Sequence, residues 1–87
     1  MNIDTLSERN YITVRLNGIR VGLEDEEEKF RLRGDYRRAL LVNDALFDLS
    51  MQLLVRNTGS SFEKSFIHDT IQRSFFYQTQ LSQGGTA

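Results

Sequence analysis

His68 is the only histidine in the chain, and imidazole is the group most often used for proton transfer near neutral pH. On a helix, Ser65 would lie one turn away from it, whereas Asp69, the next residue, would point elsewhere. A serine nucleophile needs a base and an orienting acid that converge on it. The His68 face offers no such acid, so we interpret this histidine as structural. We predict that the protein is not an enzyme and uses no cofactor.

Five consecutive carboxylates occupy residues 24–28. They lack the Asp-x-Asp-x-Asp-Gly order of a calcium loop, and neighbouring side chains on a helix point in different directions. We therefore predict no metal site. Two interpretations remain open. The run is either the solvated start of a helix or an acidic patch that engages a basic groove on a partner, in imitation of nucleic-acid phosphates.

A basic segment, residues 29–38, follows the acidic run directly. No glycine-rich phosphate loop lies beside it, and pairing with the acids upstream is the interpretation we prefer over phosphate contacts. Together the two segments supply the candidate partner-binding residues, which are Glu24, Asp25, Glu26, Glu27, Glu28, Arg31, Arg33, Arg37 and Arg38.

A nucleic-acid-binding dimer is the alternative function, with Arg15, Arg20 and the arginines of residues 31–38 as contacts. The stretch "YITVRL" resembles, in pattern only, the short strand of ribbon-helix-helix DNA-binding dimers. That resemblance implies that Thr13, Arg15 and Asn17 would enter the major groove. The Asn-Gly pair, the acidic run and the net charge of −1 depart from the pattern, and we infer no membership of the family.

With 87 residues, the chain is expected to form one small domain over residues 1–82, followed by a disordered tail at 83–87. It contains no cysteine and no proline, which excludes disulfides and permits long helices. No apolar run approaches the roughly 20 residues that a membrane span needs. The N-terminal residues do not resemble a signal peptide. We expect a soluble cytoplasmic protein without membrane contact.

Residues 11–23 fit two periods. Apolar residues at 12, 16, 19 and 23 have helical spacing, but residues 12–16 and 19–23 also alternate around Asn17-Gly18. A helix would carry two internal glycines, each costing about 1 kcal/mol, whereas Asn-Gly is the strongest short signal for a β-hairpin. We therefore predict strands near 10–17 and 18–24. The fold class is α+β, an N-terminal β-hairpin packed on two or three helices. The alternative is an all-α fold in which residues 11–23 are helical.

The remainder favours helices. Residues 24–34 place acids before bases, although a third strand is the alternative there. Gly34 suits a helix stop and Asp35 the N-cap of a helix from Tyr36 to about Arg56. That helix carries two apolar rows, Ala39, Val42, Leu46, Leu49 and Leu53, then Tyr36, Leu40, Phe47, Met51 and Leu54. Ser60 and Glu63 match a capping box before a last helix over about 61–80.

Two helices with this much apolar surface exceed what one small chain covers, so we predict a homodimer packed through helices. The leading hypothesis is a small non-enzymatic regulator that binds and modulates or inhibits a larger protein. A structural or assembly subunit is a further alternative. The candidate dimer or docking surface comprises Tyr36, Leu40, Phe47, Met51, Leu54, Phe62, Phe66, Phe75, Phe76 and Tyr77.

Overall fold

A computed structural model of the chain describes the backbone of residues 2–84 and the side chains of residues 10–84. Three helices follow one another: α1 (Asn2–Leu32), α2 (Tyr36–Arg56) and α3 (Ser61–Gly84). The described part measures 56 × 21 × 14 Å. The all-α alternative is therefore confirmed, and the α+β class with its β-hairpin is wrong, because residues 2–84 contain no strand.

The hairpin prediction fails because residues 10–24 form the middle of α1. Asn17 does not start a turn: its Nδ2 donates to the carbonyl oxygen of Thr13 at 3.0 Å, and its Oδ1 accepts from Arg20 at 2.6 Å. Gly18 has ordinary helical backbone and faces open space. The pattern shared with ribbon-helix-helix strands is thus a coincidence of composition.

A heptad seam explains why α1 is helical. Spacings of three and four residues link six positions that are all buried or half-buried, namely Thr13, Leu16, Arg20, Leu23, Glu27 and Phe30. Burying the apolar members offsets the cost of the two glycines, since each large apolar side chain contributes roughly 1.5–3 kcal/mol. A two-stranded hairpin would have buried less and left its edges open.

The turn after α1 has the predicted chemistry. Gly34 has φ of 75°, a left-handed conformation that suits glycine. Asp35 is the N-cap of α2, and its Oδ1 accepts a hydrogen bond from the backbone N–H of Arg38 at 3.2 Å. The helical interpretation of residues 24–34 is confirmed as far as Leu32, and the third-strand alternative is wrong.

The turn after α2 contains Gly59 with φ of 90° and ends at Ser60. The Ser60 hydroxyl oxygen accepts from the backbone N–H of Glu63 at 3.2 Å, which confirms the predicted cap of α3. Glu63 does not complete a reciprocal capping box, because its carboxylate is bonded to Arg20 on α1 instead.

The central helix is α2, and its two apolar rows have two neighbours. The backbone of α2 approaches both α1 and α3, whereas no Cα atom of α1 lies within 8 Å of one in α3 over the described residues. The first row is buried, except for half-buried Val42. Tyr36 of the second row stacks on Tyr77 of α3, with ring centroids 6.1 Å apart. A single chain thus covers much of the surface that we had assigned to a dimer.

Helix α3 extends into the segment predicted to be a disordered tail. Helix α3 includes Gln83 and Gly84, the first two residues of the predicted tail, and residues 85–87 lie outside the described part. None of the three helices, as described, is long and apolar enough to cross a membrane.

Candidate functional site

The carboxylate of Glu27 is the hub of a polar cluster inside the bundle. It is 1% exposed, although it belongs to the acidic run that we interpreted as a surface feature. Its Oε2 accepts from the Tyr77 hydroxyl at 2.5 Å and from Arg73 Nε at 2.7 Å. Its Oε1 accepts a longer bond from Asn43 Nδ2 at 3.4 Å, and the same amide donates to the carbonyl oxygen of Thr70 at 3.1 Å. Glu27 therefore connects all three helices.

The pKa of the Tyr77 hydroxyl is shifted by this environment. Burial raises its pKa to about 12, and the hydrogen bond to the Glu27 carboxylate acts in the same direction. Its ring is packed between Tyr36 and Phe76, with centroids 6.1 and 5.8 Å away. The hydroxyl stays protonated at neutral pH and donates to Glu27. It is a structural donor rather than a nucleophile.

Arg20 organises a second cluster two turns closer to the N-terminus of α1. Its Nη1 donates to Glu63 Oε1 at 2.5 Å, and both side chains are only 6% exposed. The guanidinium also lies over the rings of Phe62 and Phe66, at 5.1 and 4.6 Å from their centroids. Asn17 accepts from its other terminal nitrogen. A buried arginine with four partners is a fixed structural element.

The two clusters show how α1 and α3 are related. Residues 20 and 27 of α1 meet residues 63 and 77 of α3 in ascending order, so the helices run parallel. Every buried side-chain nitrogen and oxygen of the described residues has a hydrogen-bond partner. A fully satisfied cluster specifies the register of its helices, because shifting one helix would leave buried charges unpaired.

These clusters contain buried residues that the sequence analysis does not predict to be in the interior. Their signal was present, because Arg20 and Glu27 are seven residues apart, and Glu63, Thr70 and Tyr77 repeat the same interval. A seven-residue interval places side chains on one helix face, whatever their polarity. A heptad search limited to apolar residues does not detect this polar half of the interior.

The acidic run does not form one patch. Glu27 is inside, while Glu24 and Glu28 line a surface pocket of about 210 Å³ beside Arg31 and Arg73. Asp25 pairs with Lys29 one turn later, at 3.4 Å, as expected if the basic segment pairs with the acids upstream. Glu26 is exposed, and its position on the helix directs it away from that pocket.

The arginines of the basic segment likewise lie in different environments. Arg38 pairs with Asp35 at 3.6 Å and lies over the Phe30 ring. Arg31 is half-buried at the pocket, and Arg33 and Arg37 are exposed. Arg20, which the nucleic-acid hypothesis requires at the surface, is 5% exposed and paired with Glu63. The structure therefore does not gather these arginines into one basic surface.

The remaining chemical candidates are at the surface. His68 is exposed on α3, and so is the adjacent Asp69. No group of three or more histidine, cysteine, aspartate or glutamate side chains could hold a metal ion among the residues that the structure describes.

The predicted docking surface separates into an inner and an outer part. Tyr77 is buried, and half-buried positions are held by Tyr36, Leu40, Phe47, Leu54 and Phe66. The outer part consists of Met51, Phe62, Phe75 and Phe76, which remain exposed. Three of these four residues are phenylalanines of α3.

What the geometry offers is therefore a fully hydrogen-bonded polar interior and three exposed phenylalanines on α3, with no convergent catalytic groups among the described side chains. Comparisons with protein families, characterised proteins and solved structures gave no match to this chain.

Proposed function

We propose that this chain is a non-enzymatic interaction protein that binds a larger protein through the exposed phenylalanines of α3 and thereby modulates or blocks it. The supporting observation is that Phe62, Phe75 and Phe76 remain 62%, 61% and 46% exposed after the helices have packed. Isolated exposed apolar residues are ordinary in soluble proteins. Three phenylalanines on one helix are a stronger feature, because aromatic anchors contribute much of the binding free energy at protein interfaces.

The balance of buried and exposed apolar residues supports the same proposal. Among the described side chains, five apolar ones are buried and thirteen large apolar ones are exposed. Exposed apolar surface that exceeds scattered single residues is typical of proteins that bind other proteins. The rigid polar interior suits this role, because a partner meets an ordered surface and little conformational entropy is lost on binding.

The homodimer predicted from the sequence stays a prediction. The position of α2 between α1 and α3 reduces the surplus that motivated it, but the exposed residues of α3 would also suit a second copy. Sedimentation velocity over a wide range of concentrations will show whether the chain associates with itself. A cytoplasmic location is likewise still an expectation.

The test is affinity capture from a lysate of the native host with two matched double variants. Phe62→Ser/Phe76→Ser removes two aromatic side chains from α3, and Leu41→Ser/Val55→Ser removes two apolar side chains from α2 that are at least as exposed. We expect the α3 variant to lose the specifically captured protein and the α2 variant to retain it. Equal retention by both variants, or equal loss, would contradict the assignment of binding to α3.

A further inference from the structure

A groove separates α1 from α3 on the side opposite α2. We call it the α1–α3 groove and define it by Val21, Glu24 and Glu28 on one edge and by Phe62, Asp69 and Phe76 on the other. Residues seven positions apart share a helix edge, which relates Val21 to Glu28 and Phe62 to Asp69 and Phe76. Over residues 2–84 no Cα atom of α1 lies within 8 Å of one in α3, and the Arg20 and Glu27 clusters bridge the two helices.

One contact with α1 and the seven-residue repeat of α3 place these residues in the groove. Phe62 is packed against Arg20 of α1, with the guanidinium 5.1 Å from the ring centroid. Phe76 lies two such repeats further along the same edge of α3, and its ring also contacts Tyr36 of α2, with centroids 5.7 Å apart. Between them Glu24 and Glu28 line the pocket described above. The groove thus has an aromatic side chain near each end and a charged centre.

The charge of that centre is only partly balanced within the chain, because the pocket is lined by the three glutamates Glu24, Glu27 and Glu28 but by only two arginines, Arg31 and Arg73. The ion pairs of the described residues involve neither Glu24 nor Glu28 nor Asp69. Arg73 is committed to Glu27. The carboxylates of Glu24 and Glu28 are four residues apart and therefore adjacent on the helix surface, where they reinforce one another as an anionic pair.

We propose that the α1–α3 groove binds a basic amphipathic helix of the partner protein. Two lysines or arginines one turn apart would pair with Glu24 and Glu28, and apolar side chains would pack on Phe62 and Phe76. This inference rests on the proposed function and adds the site and the chemistry of the partner. Phe62 and Phe76 are 14 residues apart on α3, or about 21 Å, which four turns of a docked helix span.

Other occupants fit the groove less well. Nucleic acid would bring phosphates against a pocket whose carboxylates outnumber its arginines, which is electrostatically unfavourable. A second copy of this chain lacks the required element, because none of the described helices carries two exposed basic side chains three or four residues apart. Charge complementarity therefore selects a basic helix from a different protein.

The experiment uses the full chain and a fluorescently labelled leucine/lysine amphipathic peptide of about 18 residues, long enough to span the groove. A leucine/glutamate peptide with the same pattern is the control ligand. Fluorescence anisotropy measures binding to three proteins: the unchanged chain, Glu24→Lys/Glu28→Lys, and Asp25→Lys/Glu26→Lys. The two variants have the same change in net charge, but only the first alters the groove. Circular dichroism verifies that each is folded.

We expect the lysine peptide, and not the glutamate peptide, to bind the unchanged chain. Glu24→Lys/Glu28→Lys should weaken this binding about tenfold or more, and Asp25→Lys/Glu26→Lys should leave it nearly unchanged. Absence of binding, or an equal loss in both variants, would overturn the groove proposal. If binding is absent while Phe62→Ser/Phe76→Ser still abolishes capture of a host protein, the proposed function stands and only the groove assignment falls.

Discussion

Helices α1 and α2 pack closely enough for their Cα atoms to lie within 8 Å of each other. Over residues 2–84 no Cα atom of α1 lies that close to one in α3, and buried polar side chains bridge these two helices. Four of the five buried apolar residues belong to α2, and the fifth, Tyr77, uses its hydroxyl on Glu27. Apolar packing tolerates small shifts, because it is non-directional. Buried ion pairs do not, because each partner requires its counterpart. The α1–α2 contact thus supplies stability, and the α1–α3 contact supplies register.

Glu27→Ala tests the polar contact between α1 and α3 most severely. It would leave the Tyr77 hydroxyl without its acceptor in the interior and Arg73 without its counter-charge. Removing one partner of a buried charged cluster costs about 3–5 kcal/mol, so we expect a loss of that size in the free energy of unfolding. Urea denaturation followed by circular dichroism will measure it.

Glu27→Gln is the matched control, because it keeps the shape and one acceptor oxygen while it removes the charge and replaces the other acceptor by an NH2 donor. We expect it to cost less than Glu27→Ala. Leu46→Ala provides the apolar reference on α2, at about 2–5 kcal/mol for a fully buried leucine. A loss below about 1 kcal/mol for Glu27→Ala would show that the polar cluster does not hold the helices in register.

The Arg20–Glu63 pair tests whether register or stability is the main contribution. Arg20→Met alone should cost about 3 kcal/mol, because it leaves the Glu63 carboxylate buried and unpaired. Adding Glu63→Leu should recover most of this loss, since an apolar pair of similar volume replaces a buried ion pair at little net cost. A double-mutant cycle of unfolding free energies measures the coupling. Simple additivity of the two single losses would contradict a direct buried pair.

Local backbone features can be predicted from this sequence, whereas the long-range polar contacts cannot. Features set by local backbone chemistry were predicted correctly, such as the left-handed Gly34 and the N-caps Asp35 and Ser60. The hairpin was wrong, because Asn17-Gly18 has the same local signal whether or not tertiary packing overrides it. What decides between them is a seam that includes Arg20 and Glu27. A charged residue is assigned to the interior only when its counter-charge is known, and the oppositely charged partners Glu63 and Arg73 lie more than 40 residues away.

Because Tyr77 takes part in the polar contact, the free energy of unfolding should depend on pH in the alkaline range. Its pKa is raised from 10.0 to about 12 in the folded chain. The stabilisation from the protonated hydroxyl is therefore complete below pH 10 and is lost as the pH rises towards about 12. We expect the free energy of unfolding to fall across that range. In Tyr77→Phe, which lacks the titrating group, the fall should be shallower although the variant is less stable at neutral pH. Parallel pH profiles of the two proteins would contradict the assignment.

We expect a smaller change in stability from Gly18→Ala in α1. The helix and the hairpin predict opposite signs for this change. A Cβ added at Gly18 meets no atom within 4 Å. In a helix, Gly18→Ala should therefore stabilise the protein by about 0.5–1 kcal/mol. In a type I′ hairpin turn the same alanine would require a positive φ and would destabilise it. Gly34→Ala is the control, since φ of 75° predicts destabilisation there in either fold. Thermal denaturation should show Gly18→Ala melting later and Gly34→Ala earlier than the unchanged chain. If both variants melt earlier, the result supports the hairpin over residues 11–23. It would then contradict the heptad seam that buries Arg20 and Glu27.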